Sequence, residues 1–112
     1  MNEVKEATRI GSAIEQIDDV LHQKARLAIM ASLMAAGELD FGALKRNLSL
    51  SDGNLSTHLA VLERNGFVLI RKEFVLRKPL TTIVPTEKGR YAFERYVEAL
   101  EAVLQSMKEA KG

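Results

Sequence analysis

Between Phe67 and Val84 the chain changes its hydrophobic rhythm, and that one change limits the folds open to it. Phe67–Phe74 and Thr81–Val84 are rich in β-branched and aromatic residues, the composition of strands. Pro79 and four basic residues lie between or beside them. The stretch reads as a two-stranded hairpin with a basic tip, and Pro85 stops its second strand. On both sides the apolar residues fall at helical spacing. The fold class expected is therefore mainly α with a small β-hairpin (α+β).

The helices follow from spacing and from their end signals. Ile10, Ile14, Ile17 and Leu21 recur at steps of four, three and four, a helical stripe weakened at its start by Gly11. Lys24–Ala36 places Leu27, Met30, Leu33 and Met34 on one face, and Gly37 supplies a left-handed cap. Asp40 is an N-cap for a short helix that turns Phe41, Leu44 and Leu48 inward. After Ser49 and Leu50, Ser51 caps a further helix, Asp52–Arg64. Its core stripe is Leu55, Leu59 and Leu62, and Asn65-Gly66 ends it. Thr86 caps a last long helix to about Ala110. Phe93, Tyr96, Leu100, Val103 and Met107 run along it in three–four steps, widened by Val97 and Leu104, a coiled-coil-like seam.

Composition removes several function classes. At 112 residues, 46% hydrophobic and 28% charged, the chain is one globular domain, 1–112. It has no cysteine, which excludes disulfides, thiolate metal sites and thiol redox sensing. No leader pattern is visible at the N-terminus, and no apolar run approaches the roughly 18 residues of a membrane span. The expectation is a cytoplasmic protein without membrane contact. With no nucleophilic cysteine, no phosphate-binding glycine loop and no histidine-rich metal pattern, the chain is expected to be no enzyme and to hold no cofactor.

The net charge is only +1, so its distribution matters more than its size. The one clear positive excess is Arg71, Lys72, Arg77 and Lys78, against the single acid Glu73. Alone, such a cluster reads as a solvated loop. Its neighbours alter that reading. The order helix, short helix, tight turn, helix, basic hairpin is that of a helix-turn-helix followed by a wing, in which the second helix of the pair enters the major groove. Set at 100° steps, Asp52–Arg64 turns Gly53, Thr57, Ala60 and Arg64 away from the core, with Asn54 and Val61 on a flank. Small residues admit close approach to DNA, Asn54 suits a base edge, Thr57 a base or phosphate, and Ala60 a thymine methyl. The helix N-terminus itself favours phosphate. The plainer alternative is a solvated helix face.

Ser56-Thr57-His58-Leu59, followed by Leu62, Gly66, Phe67 and Val68, resembles the recognition helix and first wing strand of ArsR- and MarR-type winged-helix regulators. Phe41 with Leu44, Asp52-Gly53-Asn54-Leu55, and Arg26 before Leu27 are closer still to a small MarR-like group. Thr81-Thr82 and Thr86-Glu87-Lys88-Gly89-Arg90 resemble that group's second wing strand and last helix. The resemblance covers roughly residues 20 to 95. It implies a winged helix-turn-helix with extra N- and C-terminal helices, and a transcriptional regulator that binds double-stranded DNA. The missing cysteines depart from ArsR metal sensors. The short terminal helices depart from full MarR proteins, whose longer ones frame a ligand pocket, and no small-molecule effector can be named.

The residues assigned to DNA are Ser51, Gly53, Asn54, Ser56, Thr57, His58 and Arg64 on the helix, and Arg71, Lys72, Arg77 and Lys78 on the wing. For His58 a half-buried structural role ranks first, a phosphate contact second and metal ligation last. A homodimer is expected through segments 1–21 and 87–110, with Ile10, Ile14, Ile17, Phe93, Tyr96, Leu100, Val103, Leu104 and Met107 at its interface. The competing reading is a winged helix used as a protein-interaction module without specific DNA binding.

Overall fold

The computed structural model describes residues 3–111, so the expected domain limits at 1 and 112 lie outside the described residues. The elements run α1 (Glu3–Glu15), α2 (Lys24–Ala36), β1 (Leu39–Asp40), α3 (Phe41–Leu48), α4 (Asp52–Arg64), β2 (Val68–Val75), β3 (Lys78–Pro85) and α5 (Glu87–Ala110). The core gathers Leu21, Ile29, Met30, Leu33, Leu44, Leu55, Leu62 and Ile83, all fully buried, with Val68 and Tyr96 beside them.

Side-chain caps set the helix starts. Asp40 accepts from the Ala43 amide, Ser51 from Asn54 and Thr86 from Gly89, so each satisfies a donor that the helix leaves open. Gln23 does the same for Arg26 at the start of α2. Gly37 ends α2 at φ +91°, and Gly66 follows α4 at φ +77°. Both are conformations a side chain would oppose. Ile29, outside the apolar stripe expected for α2, is fully buried with Met30 and Leu33. The helix is apolar on most sides, so spacing alone does not select its inner face.

The N-terminal stripe is not one helix. α1 stops at Glu15, and Asp18 accepts from the amides of Val20 and Leu21 at 2.8 and 3.1 Å. A short polar side chain thus offers the backbone an alternative to continued helix. The turn it fixes drives Leu21 into the core, while Ile17 packs at its edge.

The hairpin also differs from expectation. It is part of a three-stranded antiparallel sheet in the order β1-β3-β2, with Leu39 opposite Ile83 and Asp40 opposite Thr82. β1 is two residues long, too short for any periodicity. The strands β2 and β3 pair without interruption from Val68 opposite Pro85 to Val75 opposite Lys78. Pro85 is therefore the last paired residue of its strand, and Arg71, Lys72, Lys78 and Pro79 lie within strands. Only Leu76 and Arg77 form the turn, at φ +53° and +67°. Two successive positive φ values suit the right-handed twist of a hairpin, but Asn-Gly is the usual occupant. Leu and Arg hold this geometry at a cost of about 1–2 kcal/mol each.

α5 begins under the wing root. The Thr86 hydroxyl donates to the Gly66 carbonyl at 2.6 Å, and the Thr86 amide donates to the Phe67 carbonyl at 3.0 Å. A Cβ on Gly89 would stand 2.1 Å from that same carbonyl oxygen, so only glycine allows the helix to lie so close. Beyond this junction α5 extends away from the body, with α1 packed along it. The molecule is drawn out to 66 × 25 × 21 Å. Among the described residues no helix is long and apolar enough to cross a membrane.

Candidate nucleic-acid interface

The inner stripe of α4, Leu55, Leu59 and Leu62, is buried as its spacing requires. That fixes the opposite face. Gly53, Asn54, Ser56, Thr57, Ala60 and Arg64 are all exposed. Ser51 is exposed as well, its oxygen accepting from the Asn54 amide at 3.1 Å, and the hydroxyl proton remains available to an outside acceptor. The Thr57 hydroxyl donates to the Gly53 carbonyl at 2.9 Å, so towards a ligand it is poised to accept.

Sheet and helix meet in one groove. Ser56, Ala60 and Glu63 of α4 face Ile70 and Lys72 of β2 and Thr81 of β3 across it, with Phe41 and Leu59 at its floor. Lys72 is thereby brought beside the outward face of α4. Glu63 puts one negative charge at the same groove.

The four basic residues of the wing are not equivalent. Arg71 donates to Glu73 and to Glu38, each at 3.1 Å. Its pKa is pushed above the ordinary arginine range, first by the Glu73 hydrogen bond and then by Glu38. Lys72, Arg77 and Lys78 are exposed and make no ion pair among the described residues. They are the cations left for an external anion.

His58 is half-buried on the side of α4 away from that face. A guanidinium nitrogen of Arg26 lies 3.3 Å from its Nδ1, while Arg26 Nε donates to the Val20 carbonyl at 2.6 Å. Guanidinium has only donors, so Nδ1 is the acceptor of this contact. Arg26 thus ties the turn before α2 to α4. No signal in the spacing marked that link, because the two residues are 32 positions apart. Lys45, also absent from the expected set, reaches from α3 to Asp52 at 2.8 Å, across the turn that precedes α4. The pair is exposed and worth little in stability, but it offsets the acid at the start of α4. Among the described residues no cluster of three histidines or acids is placed to hold a metal.

Residues 25–104 match the family described as winged helix DNA-binding domain. The chain belongs to that family. The winged helix is 38% identical over 78 residues to the uncharacterized protein MJ0432 of Methanocaldococcus jannaschii, covering 70% of this chain and 85% of that one. Its structure is similar to that of a transcriptional regulator homologue from Pyrococcus horikoshii OT3, with a TM-score of 0.76 and 30% identity. That match covers 92% of this chain and 97% of the other. A MarR-family regulator from Silicibacter pomeroyi shares the fold at 21% identity and a TM-score of 0.60, over 92% of this chain and 69% of that one.

Within this winged helix the expected interface residues divide. Tyr96 is only 3% exposed, and its hydroxyl is 2.9 Å from His22 Nδ1, so it belongs to its own core and has no face to offer a second copy. Phe93 and Leu100 pack on that core too. Val103 is buried with Ala99 and Ser106 where α1 packs along α5, and Ala13 is buried opposite. Ile14, Leu104 and Met107 remain about half exposed. Half-buried Ile10 lines an apolar groove with Leu104 and Met107. The seam of α5 is thus shared between the core, α1 and an uncovered strip.

Proposed function

We propose that this winged helix is a sequence-specific transcriptional regulator that binds double-stranded DNA as a two-fold homodimer. One observation carries the reading: Ser56 and Ala60, on the small, polar outer face of α4, line the same groove as Lys72 of the wing, which makes no ion pair among the described residues. In this arrangement α4 enters the major groove, with Asn54 and Thr57 towards base edges. Ser51, Gly53, Ser56, Arg64, Lys72, Arg77 and Lys78 hold phosphates. His58 acts behind the helix, through Arg26. Arg71 contributes less than its charge suggests, because two carboxylates already engage it. The similarity to the regulator homologue of Pyrococcus horikoshii OT3 supports the regulatory role.

The dimer uses the uncovered strip of Ile10, Ile14, Leu104 and Met107. One domain offers few base contacts, and pairing raises affinity through effective concentration. Two recognition helices about 34 Å apart reach successive major grooves, so the operator is roughly palindromic. The test is selection of bound duplexes from a random pool at several salt concentrations. Wild type enriches a palindromic site, and Asn54→Ala or Thr57→Ala loses about 1–3 kcal/mol more on that site than on random duplex. A pool that yields no common sequence overturns the reading. A protein-binding winged helix is the second reading, and the observation in its favour is the apolar wing tip, where Phe74 and Leu76 are exposed.

A further inference from the structure

The tip of the wing is apolar as well as basic. Leu76 is 91% exposed at the apex and Phe74 is 77% exposed beside it, followed by Val75 at 45%. Single exposed apolar residues are ordinary on a protein surface; three in succession at the end of a protruding element are not. Lys72, Arg77 and Lys78 flank them and make no ion pair among the described residues.

The register fixes where this tip points. Side chains alternate along a strand, so Val68, Ile70, Lys72 and Phe74 share one face of β2. Val68 is buried on that face, and Ile70 and Lys72 line the groove beside α4. Phe74, opposite Pro79, is the outer end of the same face. Arg71–Val75 is exposed throughout. From Lys72 at the groove to Leu76 at the turn, at about 3.3 Å per residue, the strand carries the apex roughly 13 Å beyond the groove. The connection has only two residues, both at positive φ, so the tip is a short, tightly defined element.

We propose that the wing tip inserts Leu76, with Phe74 beside it, into the minor groove next to the recognition helix and pries open a base step. The inference rests on the DNA-binding reading above and adds a mode of contact to it. The minor groove is about 6 Å wide, too narrow for a helix but open to a single side chain. An apolar side chain there has no attraction to phosphates and acts as a wedge between bases, kinking the duplex towards the major groove. Lys72, Arg77 and Lys78 hold the phosphates that line the groove, so the cationic flank and the apolar apex have separate tasks. The operator then favours a pyrimidine–purine step at the wing position, where unstacking is easiest.

The experiment uses the full chain and the duplex recovered from selection. 2-Aminopurine is placed at successive steps outside the recognition-helix site, and end-to-end energy transfer reads the bend. Wild type at saturation raises the fluorescence severalfold at one step per half-site and shortens the end-to-end distance. Leu76→Ser abolishes both signals, and Phe74→Ser reduces them, in proteins whose circular dichroism and thermal melts match wild type. Arg77→Ala weakens binding and lowers the salt dependence, yet keeps the fluorescence rise once saturated. Saturated specific binding by wild type with no rise at any step overturns the wedge and leaves the DNA-binding reading intact. Undiminished signals in Leu76→Ser overturn it equally. Failure of selection to yield any site overturns both readings.

Discussion

Arg71 and Glu38 are joined over the central strand β3, the guanidinium donating to the carboxylate at 3.1 Å while its Nε donates to Glu73 at the same distance. The wing cation farthest from the tip is thus restrained by the protein's own acids. Glu38→Ala with Glu73→Ala removes both acceptors and releases it. Duplex affinity is expected to rise, and the log–log salt slope to steepen by about 0.9 as Arg71 neutralises one more phosphate. Affinity measured against salt checks this; an unchanged slope would show that Arg71 does not reach DNA even when free.

Arg26→Ala removes the guanidinium that serves both the Val20 carbonyl and His58 Nδ1. Each part-buried acceptor left without its partner costs about 1–3 kcal/mol. The melting temperature is expected to fall by several degrees. His58→Ala, which abolishes only one of these contacts, is expected to cost less. Thermal unfolding of the two variants ranks them.

Gly89→Ala tests the junction of wing and last helix. The added Cβ meets the Phe67 carbonyl oxygen at 2.1 Å, and the obstacle is backbone, which cannot swing aside. Destabilisation of about 1–3 kcal/mol or more follows from the forced shift. Gly53→Ala is the control, because nothing lies within 4 Å of its Cβ position. Urea unfolding of both variants is expected to separate them clearly.

The uncovered strip on α1 and α5 gives a prediction on assembly. Leu104→Glu with Met107→Glu places two charges on residues about half exposed in the isolated chain, so the fold tolerates them. Light scattering is expected to report a dimer for wild type and a monomer for the variant at micromolar concentration. A wild type that stays monomeric removes the dimer. Tyr96→Glu would not test it, since that side chain lies inside the core.

The sequence by itself determined the elements that have strong local signals. The caps Asp40, Ser51 and Thr86 lie where expected, and α4 runs from Asp52 to Arg64 with Leu55, Leu59 and Leu62 inward. A cap hydrogen bond spans three residues, and a core stripe repeats within one helix, so both are written in adjacent positions. Tertiary structure decided the rest. It paired Leu39 with Ile83, turned Leu21 inward after Asp18, and drew Tyr96 out of the apparent dimer seam to meet His22. It also set Arg71 between two acids and Arg26 against His58, pairings that depend on how separate elements pack. An apolar seam states that a face will be covered. Whether the cover is the chain's own core, α1 or a second copy depends on packing that spacing along one helix does not encode.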